Sequence, residues 1–200
     1  MWILPSRGRP HNIQRFIDAY YKTGGSTPVW LRFDDDDPQP EYEVPDNWII
    51  KYGPQGPLSG IYNEFYSEFP NLEWYGFIAD DVVPVTWQWD LALISAADGS
   101  GMAVPAGGDT TGGTPHFVLG GDLVRSVGWL ALPGLERLYI DTVWRYVAEQ
   151  RNVLKFMPYI MLEHRHFSNN QALYDATYKK PSRERDKLIY QTWKGEDKCP

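Results

Sequence analysis

Apolar positions alternate between two spacings through the first eighty residues. Trp2-Ile3-Leu4 is a short apolar run closed by Pro5, a strand pattern. Ile13, Phe16, Ile17, Tyr20 and Tyr21 then recur at the three- and four-residue spacing of one helix face. Gly24-Gly25 ends that helix. Val29 to Phe33 reads as a second strand, stopped by an aspartate run and Pro38, and Trp48 to Tyr52 as a third before the turn-rich Gly53-Pro54-Gln55-Gly56-Pro57. Leu58, Ile61, Tyr62, Phe65 and Phe69 return to helical spacing until Pro70, and Trp74 to Ala79 is a fourth strand running into Asp80-Asp81. The second half is less regular. It predicts a helix with Leu135, Leu138, Tyr139, Thr142, Val143, Tyr146 and Val147 on one face, and a strand from Pro158 to Leu162 that leads into Glu163-His164-Arg165-His166. Residues 107–114 form a glycine-threonine loop too polar for a core.

This rhythm predicts an α/β domain, a Rossmann-like, mostly parallel mixed sheet flanked by helices. In such sheets ligands sit at the carboxyl ends of the strands. Three predicted strand ends carry charge there: Ser6-Arg7-Gly8-Arg9, Asp34 to Asp37, and Asp80-Asp81. No repeat or linker divides the chain. The reading is one domain over residues 1–178 and a basic C-terminal helix or tail over 179–200.

Composition narrows the class. The 200 residues are 42% hydrophobic, 15% aromatic and 22% charged, a globular profile that excludes wholesale disorder. No apolar run approaches the roughly 18 residues a membrane span needs, and Arg7 and Arg9 interrupt the apolar start, so no signal peptide is expected. A single cysteine, Cys199, leaves no disulfide framework and points to a reduced, cytoplasmic setting, the host cytoplasm if the protein is viral. The net charge of −7 argues against nonspecific coating of nucleic acid. From residue 177 onward, however, seven basic residues face four acidic ones, so the tail is +3 and the remainder −10.

Each charged cluster has a chemical and an ordinary reading. Adjacent carboxylates at Asp80-Asp81 repel unless a cation such as Mg²⁺ or Mn²⁺ shares them; alone they read equally as a solvated turn. Arg7 and Arg9 beside a helix start suit a diphosphate. A carboxylate after the second strand, Asp34 or Asp36, is placed to accept from a ribose or base N–H. His164 and His166 share a face on a strand and offer imidazoles to a borderline metal. Asp141, near an apolar helical stripe, is a candidate general base. Trp87, Trp89, Trp129 and Trp144 are candidates for stacking on sugar or base, with core packing as the ordinary role.

Taken in order, these residues resemble a small glycosyltransferase of the GT-A fold, near the family 2 group and its short bacterial and bacteriophage members. The carriers are Leu4-Pro5-Ser6-Arg7-Gly8-Arg9-Pro10, the aspartates after the second strand, Gly76-Phe77-Ile78-Ala79-Asp80-Asp81, Tyr139 to Trp144 and Glu163 to Phe167. The resemblance spans about residues 2–178. It implies that Pro5, Ser6, Arg7, Arg9, Asp34, Asp36, Asn63 and Asp80 hold a nucleotide-diphosphate sugar. It further implies that Asp81 with His164 or His166 holds Mn²⁺ or Mg²⁺, and that Asp141 is the base of an inverting transfer. The motif's first carboxylate is replaced by Ala79, and the usual acidic pair is reduced to Ile140-Asp141. The acceptor is open between a carbohydrate, a lipid-linked sugar, a protein and a hydroxymethylated base in phage DNA. A nucleotidyltransferase acting on a sugar phosphate is an alternative, although that class shows a lysine near the first strand and residues 5–12 have none. A noncatalytic nucleotide-binding module is the other.

Overall fold

The computed structural model describes residues 1–107, 114–166 and 183–195. Its first half follows the apolar pattern closely. Strand β1 (Trp2–Ser6) leads into helix α1 (Pro10–Lys22), where Pro10 needs no N–H partner in the first turn and Ile13, Phe16, Ile17 and Tyr20 are buried. The chain leaves α1 through Gly24 at φ +65°, the left-handed turn that glycine tolerates. Strand β2 (Val29–Asp34), β3 (Ile49–Gly53), helix α2 (Leu58–Glu68) and β4 (Trp74–Phe77) complete the half-domain. β1 pairs in parallel with both β2 and β4, and β2 with β3, so four strands deliver their carboxyl ends to one edge.

The second half closes the sheet. Strand β5 (Val82–Pro84), helix α3 (Trp89–Ala97), β6 (Met102–Ala106), β7 (Phe117–Gly120), α4 (Gly121–Val127), α5 (Ile140–Gln150), β8 (Leu154–His164) and α6 (Arg183–Gly195) follow. The order across the sheet is β3-β2-β1-β4-β7-β6-β8-β5. β7 runs antiparallel to β4 and β6, β8 is parallel to β6, and β5 is antiparallel to β8. The architecture is the Rossmann-like α/β fold with a mixed sheet between helices that the sequence predicts. No helix of the described residues is long and apolar enough to cross a membrane.

The central strands β2, β1, β4 and β7 are buried on both faces, which is why β1, β2 and β4 read as almost unbroken apolar runs. Side chains alternate. Trp2, Leu4, Val29, Leu31 and Phe33 pack with α1 and α3 residues such as Phe16, Trp89 and Leu93. Ile3, Trp30, Tyr75 and Phe77 face the α2 and α5 side with Phe65, Val143 and Trp144. Of the four tryptophans proposed for stacking, Trp89 and Trp144 are fully buried core residues. Trp129 packs on Trp144 at 5.3 Å between ring centroids, and Trp87 is 65% exposed.

Elements of the second half that the sequence did not announce have local reasons. α3 is apolar nearly all round (Trp89, Leu91, Ala92, Leu93, Ile94) and so shows no helical stripe, and β6 is only five residues with Pro105 inside. β8 begins at Leu154, earlier than predicted, and its register against β6 shifts between Pro105 and Ala106, around Pro158, a residue with no N–H for a ladder. α5 begins at Ile140 and not at Leu135.

At the amino ends of the strands a buried aspartate holds the layers together. The Asp90 carboxylate in α3 accepts from Ser26 N (2.8 Å), Thr27 N (3.0 Å) and Thr27 Oγ1 (2.9 Å), and Trp2 Nε1 donates to that same threonine oxygen (3.0 Å). Asp90→Ala strips a buried acceptor from three donors. The expected cost is about 3 kcal/mol, or roughly a 10 °C fall in Tm by thermal unfolding.

Candidate functional site

The parallel register sets three charged strand ends side by side. After β1, Arg7 reaches across to the end of β2. Its Nη1 donates to Asp34 Oδ2 at 2.8 Å and it also pairs with Asp36, through Nη2 to Oδ2 at 3.0 Å. Hydrogen bonds to Asp36 and then Asp34 raise the Arg7 pKa further above neutrality. Gly8, at φ +68°, turns the chain so that its N–H donates to Asp37 Oδ2 at 2.7 Å.

Asp34 is held from a second side. Arg32 is 1% exposed and donates from Nη1 to Asp34 Oδ1 at 2.9 Å and from Nη2 to Pro54 O at 2.7 Å; its Nη1 also meets Phe33 O. A Cβ at Gly53 would lie 2.8 Å from Arg32 Nη2, so any larger residue there makes the guanidinium shift from its position against Asp34 and Pro54 O. A buried carboxylate gripped by two arginines is fixed in both position and charge.

The end of β4 carries the second cluster. Ser6 Oγ donates to Asp80 Oδ2 at 2.7 Å and Arg9 Nη1 to Asp80 Oδ1 at 3.1 Å. Asp81 lies 3.8 Å from the same Arg9 nitrogen and 3.1 Å from His164 Nε2. Pairing of Val82 with His164 between β5 and β8 makes this last contact, joining residues more than eighty apart in the chain. Burial raises the Asp80 pKa, only partly offset by Arg9. Burial pushes Asp81 the same way, but the His164 hydrogen bond and the charges of His164, His116 and Arg9 outweigh it and hold Asp81 at about 2.

These residues open onto one cleft of about 1380 Å³. Pro5, Ser6, Arg7, Arg9, Asp34, Asn63, Asp80, Asp81, His164 and His166 all line it. Asp36 does not; it pairs with Arg7 at the surface. Asn63 lines the cleft, but its amide is committed to backbone: Oδ1 accepts from Leu130 N and Ala131 N, both at 3.0 Å, and Nδ2 donates to Ala131 O at 2.8 Å. Asp141 is outside the lining, in the first turn of α5, where it accepts from Thr114 N at 3.2 Å. Thr114 precedes Pro115, a cleft residue, so this hydrogen bond places the carboxylate next to the lining. Most of the glycine-threonine loop, residues 108–113, and the stretch 167–182 with Phe167, Lys179 and Lys180 lie outside the described residues, as do 196–200 with Lys198 and Cys199.

Sequence reasoning passed over four residues at or beside the site. Arg32 lies in a strand otherwise apolar, and a charge at that position two residues before Asp34 was the available signal. His116 is buried, with its ring 4.8 Å from and perpendicular to His164, whose ring is 5.1 Å from His166. Nothing in the spacing of His116 linked it to the other two. Arg137 and Arg185 also line the cleft, from the segment before α5 and from α6. Among the described residues, no set of three or more His, Cys, Asp or Glu side chains is arranged to hold a metal ion. The donors present, an ionised carboxylate and neighbouring imidazoles, suit a borderline or hard divalent ion that takes its other oxygens from phosphate and water.

In fold the chain is similar to a mycobacterial protein of known crystal structure, at TM-score 0.54 and 12% identity, over 82% of this chain and 67% of that one. No protein-family model and no curated protein matches the sequence.

A carboxylate held below its ordinary pKa stabilises the fold when ionised. The Asp81 contribution is therefore present above its unfolded value near 3.8 and is lost as pH falls toward 2. Thermal unfolding of wild type and Asp81→Asn between pH 6 and 2 is expected to show a gap in Tm that closes across the lower part of that range.

Proposed function

We propose that the protein is a metal-dependent glycosyltransferase that moves a sugar from a nucleotide-diphosphate sugar to an acceptor hydroxyl with inversion. The observation that carries this reading is the convergence of Arg7 with Asp34, and of Ser6, Arg9 and His164 with Asp80-Asp81, on one cleft at the carboxyl ends of parallel strands. The ordered resemblance of those same segments to GT-A enzymes supports it. The similarity to the mycobacterial protein supports the fold alone.

In this reading the β1 and β2 ends hold the nucleotide. Asp34, fixed by Arg7 and Arg32, keeps acceptor oxygens for ribose or base donors, and Arg9 faces the diphosphate. Asp81 and His164 or His166 would hold Mn²⁺ or Mg²⁺, which when bound lowers the cost of the charge developing on the leaving diphosphate. The acceptor oxygen attacks the anomeric carbon as the bond from that carbon to the diphosphate oxygen breaks, and the bonding pair leaves on the diphosphate. Asp141 takes the acceptor's proton. The Thr114 N–H fixes one carboxylate oxygen, Oδ2; Oδ1 also accepts from the neighbouring Thr142 hydroxyl, at 3.3 Å, a bond that hydroxyl can give up by rotating.

A panel of nucleotide sugars, assayed for nucleoside diphosphate release with Mn²⁺ and with chelator, tests the reading directly. One donor is expected to turn over and chelator to abolish it; turnover indifferent to chelator removes the metal from the mechanism.

Asp141→Asn separates chemistry from binding. It is expected to lower transfer by about 10²-fold or more while donor affinity, read by calorimetry, stays within about twofold. Loss of donor affinity instead takes Asp141 out of the base role.

A further inference from the structure

The cleft is bounded on one side by strand ends and on another by α2, residues 133–137 and α6. That second stretch is held by a buried carboxylate. Asp186 of α6 is 0% exposed; its Oδ1 accepts from Glu136 N at 2.9 Å, and its Oδ2 from Arg137 N at 3.0 Å and Leu138 N at 2.8 Å. The helix pattern breaks at Tyr139, which takes the left-handed conformation, so α5 starts only at Ile140 although the apolar spacing extends back to Leu135. The same segment is tied from α2, where the Ser59 hydroxyl donates to Leu135 O and Ser59 N to Glu136 O at 3.2 Å.

α6 is seated by more than this clamp. Tyr190 stacks on Tyr139 at 5.4 Å, and Trp193 meets Trp129 at 6.3 Å and Tyr146 at 5.7 Å. Seating α6 brings Arg185 to the cleft, where it pairs with Glu136. The wall that Asp186 holds is on the α2 side of the cleft, tied there through Ser59, and Tyr62 of α2 lines the cleft with it.

We infer that Asp186 is a positioning residue: it docks the C-terminal helix and fixes the 136–138 wall against the part of the ligand beyond the nucleotide, the sugar being transferred. The inference rests on the donor reading above, which gives the nucleotide to the β1 and β2 ends. It assigns to α6 a structural share in the site that a solvated basic tail would not have.

The test uses the full chain, with the nucleotide sugar selected from the donor panel and its nucleoside diphosphate as probes, both with Mn²⁺, by calorimetry. Asp186→Ala is expected to weaken the nucleotide sugar about tenfold and the nucleoside diphosphate by less than about twofold. Hydrogen exchange at amides 136–138 should accelerate with it. Asp186→Asn, which keeps an acceptor oxygen, should recover part of both effects and serves as the comparison if the alanine variant does not fold. Asp90→Ala is the control: a buried aspartate that also gathers three donors, at the opposite end of the strands, and its destabilisation should leave both affinities unchanged. Wild-type-like affinities in both Asp186 variants overturn the inference, as does an equal loss for both probes or an equal loss in Asp90→Ala. A wild-type chain that binds no donor of the panel overturns the donor reading first, and this inference with it.

Discussion

Charge delivered into the carboxyl edge of a buried parallel sheet has to be matched where it arrives, and the rest of this structure is arranged around that requirement. Asp34 is matched by Arg7 and Arg32, Asp80 by Ser6 and Arg9, and Asp81 by His164 with Arg9 nearby. Such pairs add little net stability, because desolvating both partners offsets most of their attraction. Losing one partner is another matter: it strands a buried charge at a cost of about 3–5 kcal/mol. The pairs therefore act as constraints on register and on side-chain identity more than as sources of stability. Gly53 shows how far the constraint reaches, since an added Cβ would sit against the Arg32 guanidinium that orients Asp34.

Backbone amides at the periphery are handled by the same means. Asp90 gathers donors below the sheet and Asp186 gathers them beside the cleft, while Asn63 does the equivalent for Leu130 and Ala131 with a neutral side chain. Each replaces regular hydrogen bonding in a loop that a ladder or helix cannot reach. The effect on the site is indirect but large. Asn63 and Asp186 together hold the 130–138 stretch, and with it the part of the cleft that strand ends do not supply.

The first half of the fold was legible because both of its periodicities are strong. The stripe of Ile13, Phe16, Ile17 and Tyr20 admits only a helix, and the doubly buried strands Trp2–Ser6 and Val29–Asp34 are apolar on both faces. Residues 82–127 were illegible for the converse reason: α3 is buried almost all round, and β5, β6 and β7 are too short for a period to register. The candidate site divides in the same way. Ser6, Arg7, Arg9, Asp34, Asp80 and Asp81 follow strands that can be read, so their meeting could be expected from topology alone. His116 and Arg137 carry no local mark, Arg32 is marked only as a lone charge inside an apolar strand, and Asn63 looks like a ligand contact until its amide is found bonded to backbone.

By itself the sequence determined an α/β domain, the order of its first four strands and the charged residues that follow them, because apolar period and turn chemistry are local properties. Tertiary structure alone decided which charges are paired, that His164 and not another histidine bonds to Asp81, and that the C-terminal helix closes a wall of the cleft. Those contacts join positions from about 25 to more than 80 residues apart. Their geometry is set by sheet register and by the burial of Asp34, Asp81 and Asp186, and neither exists until the chain has folded.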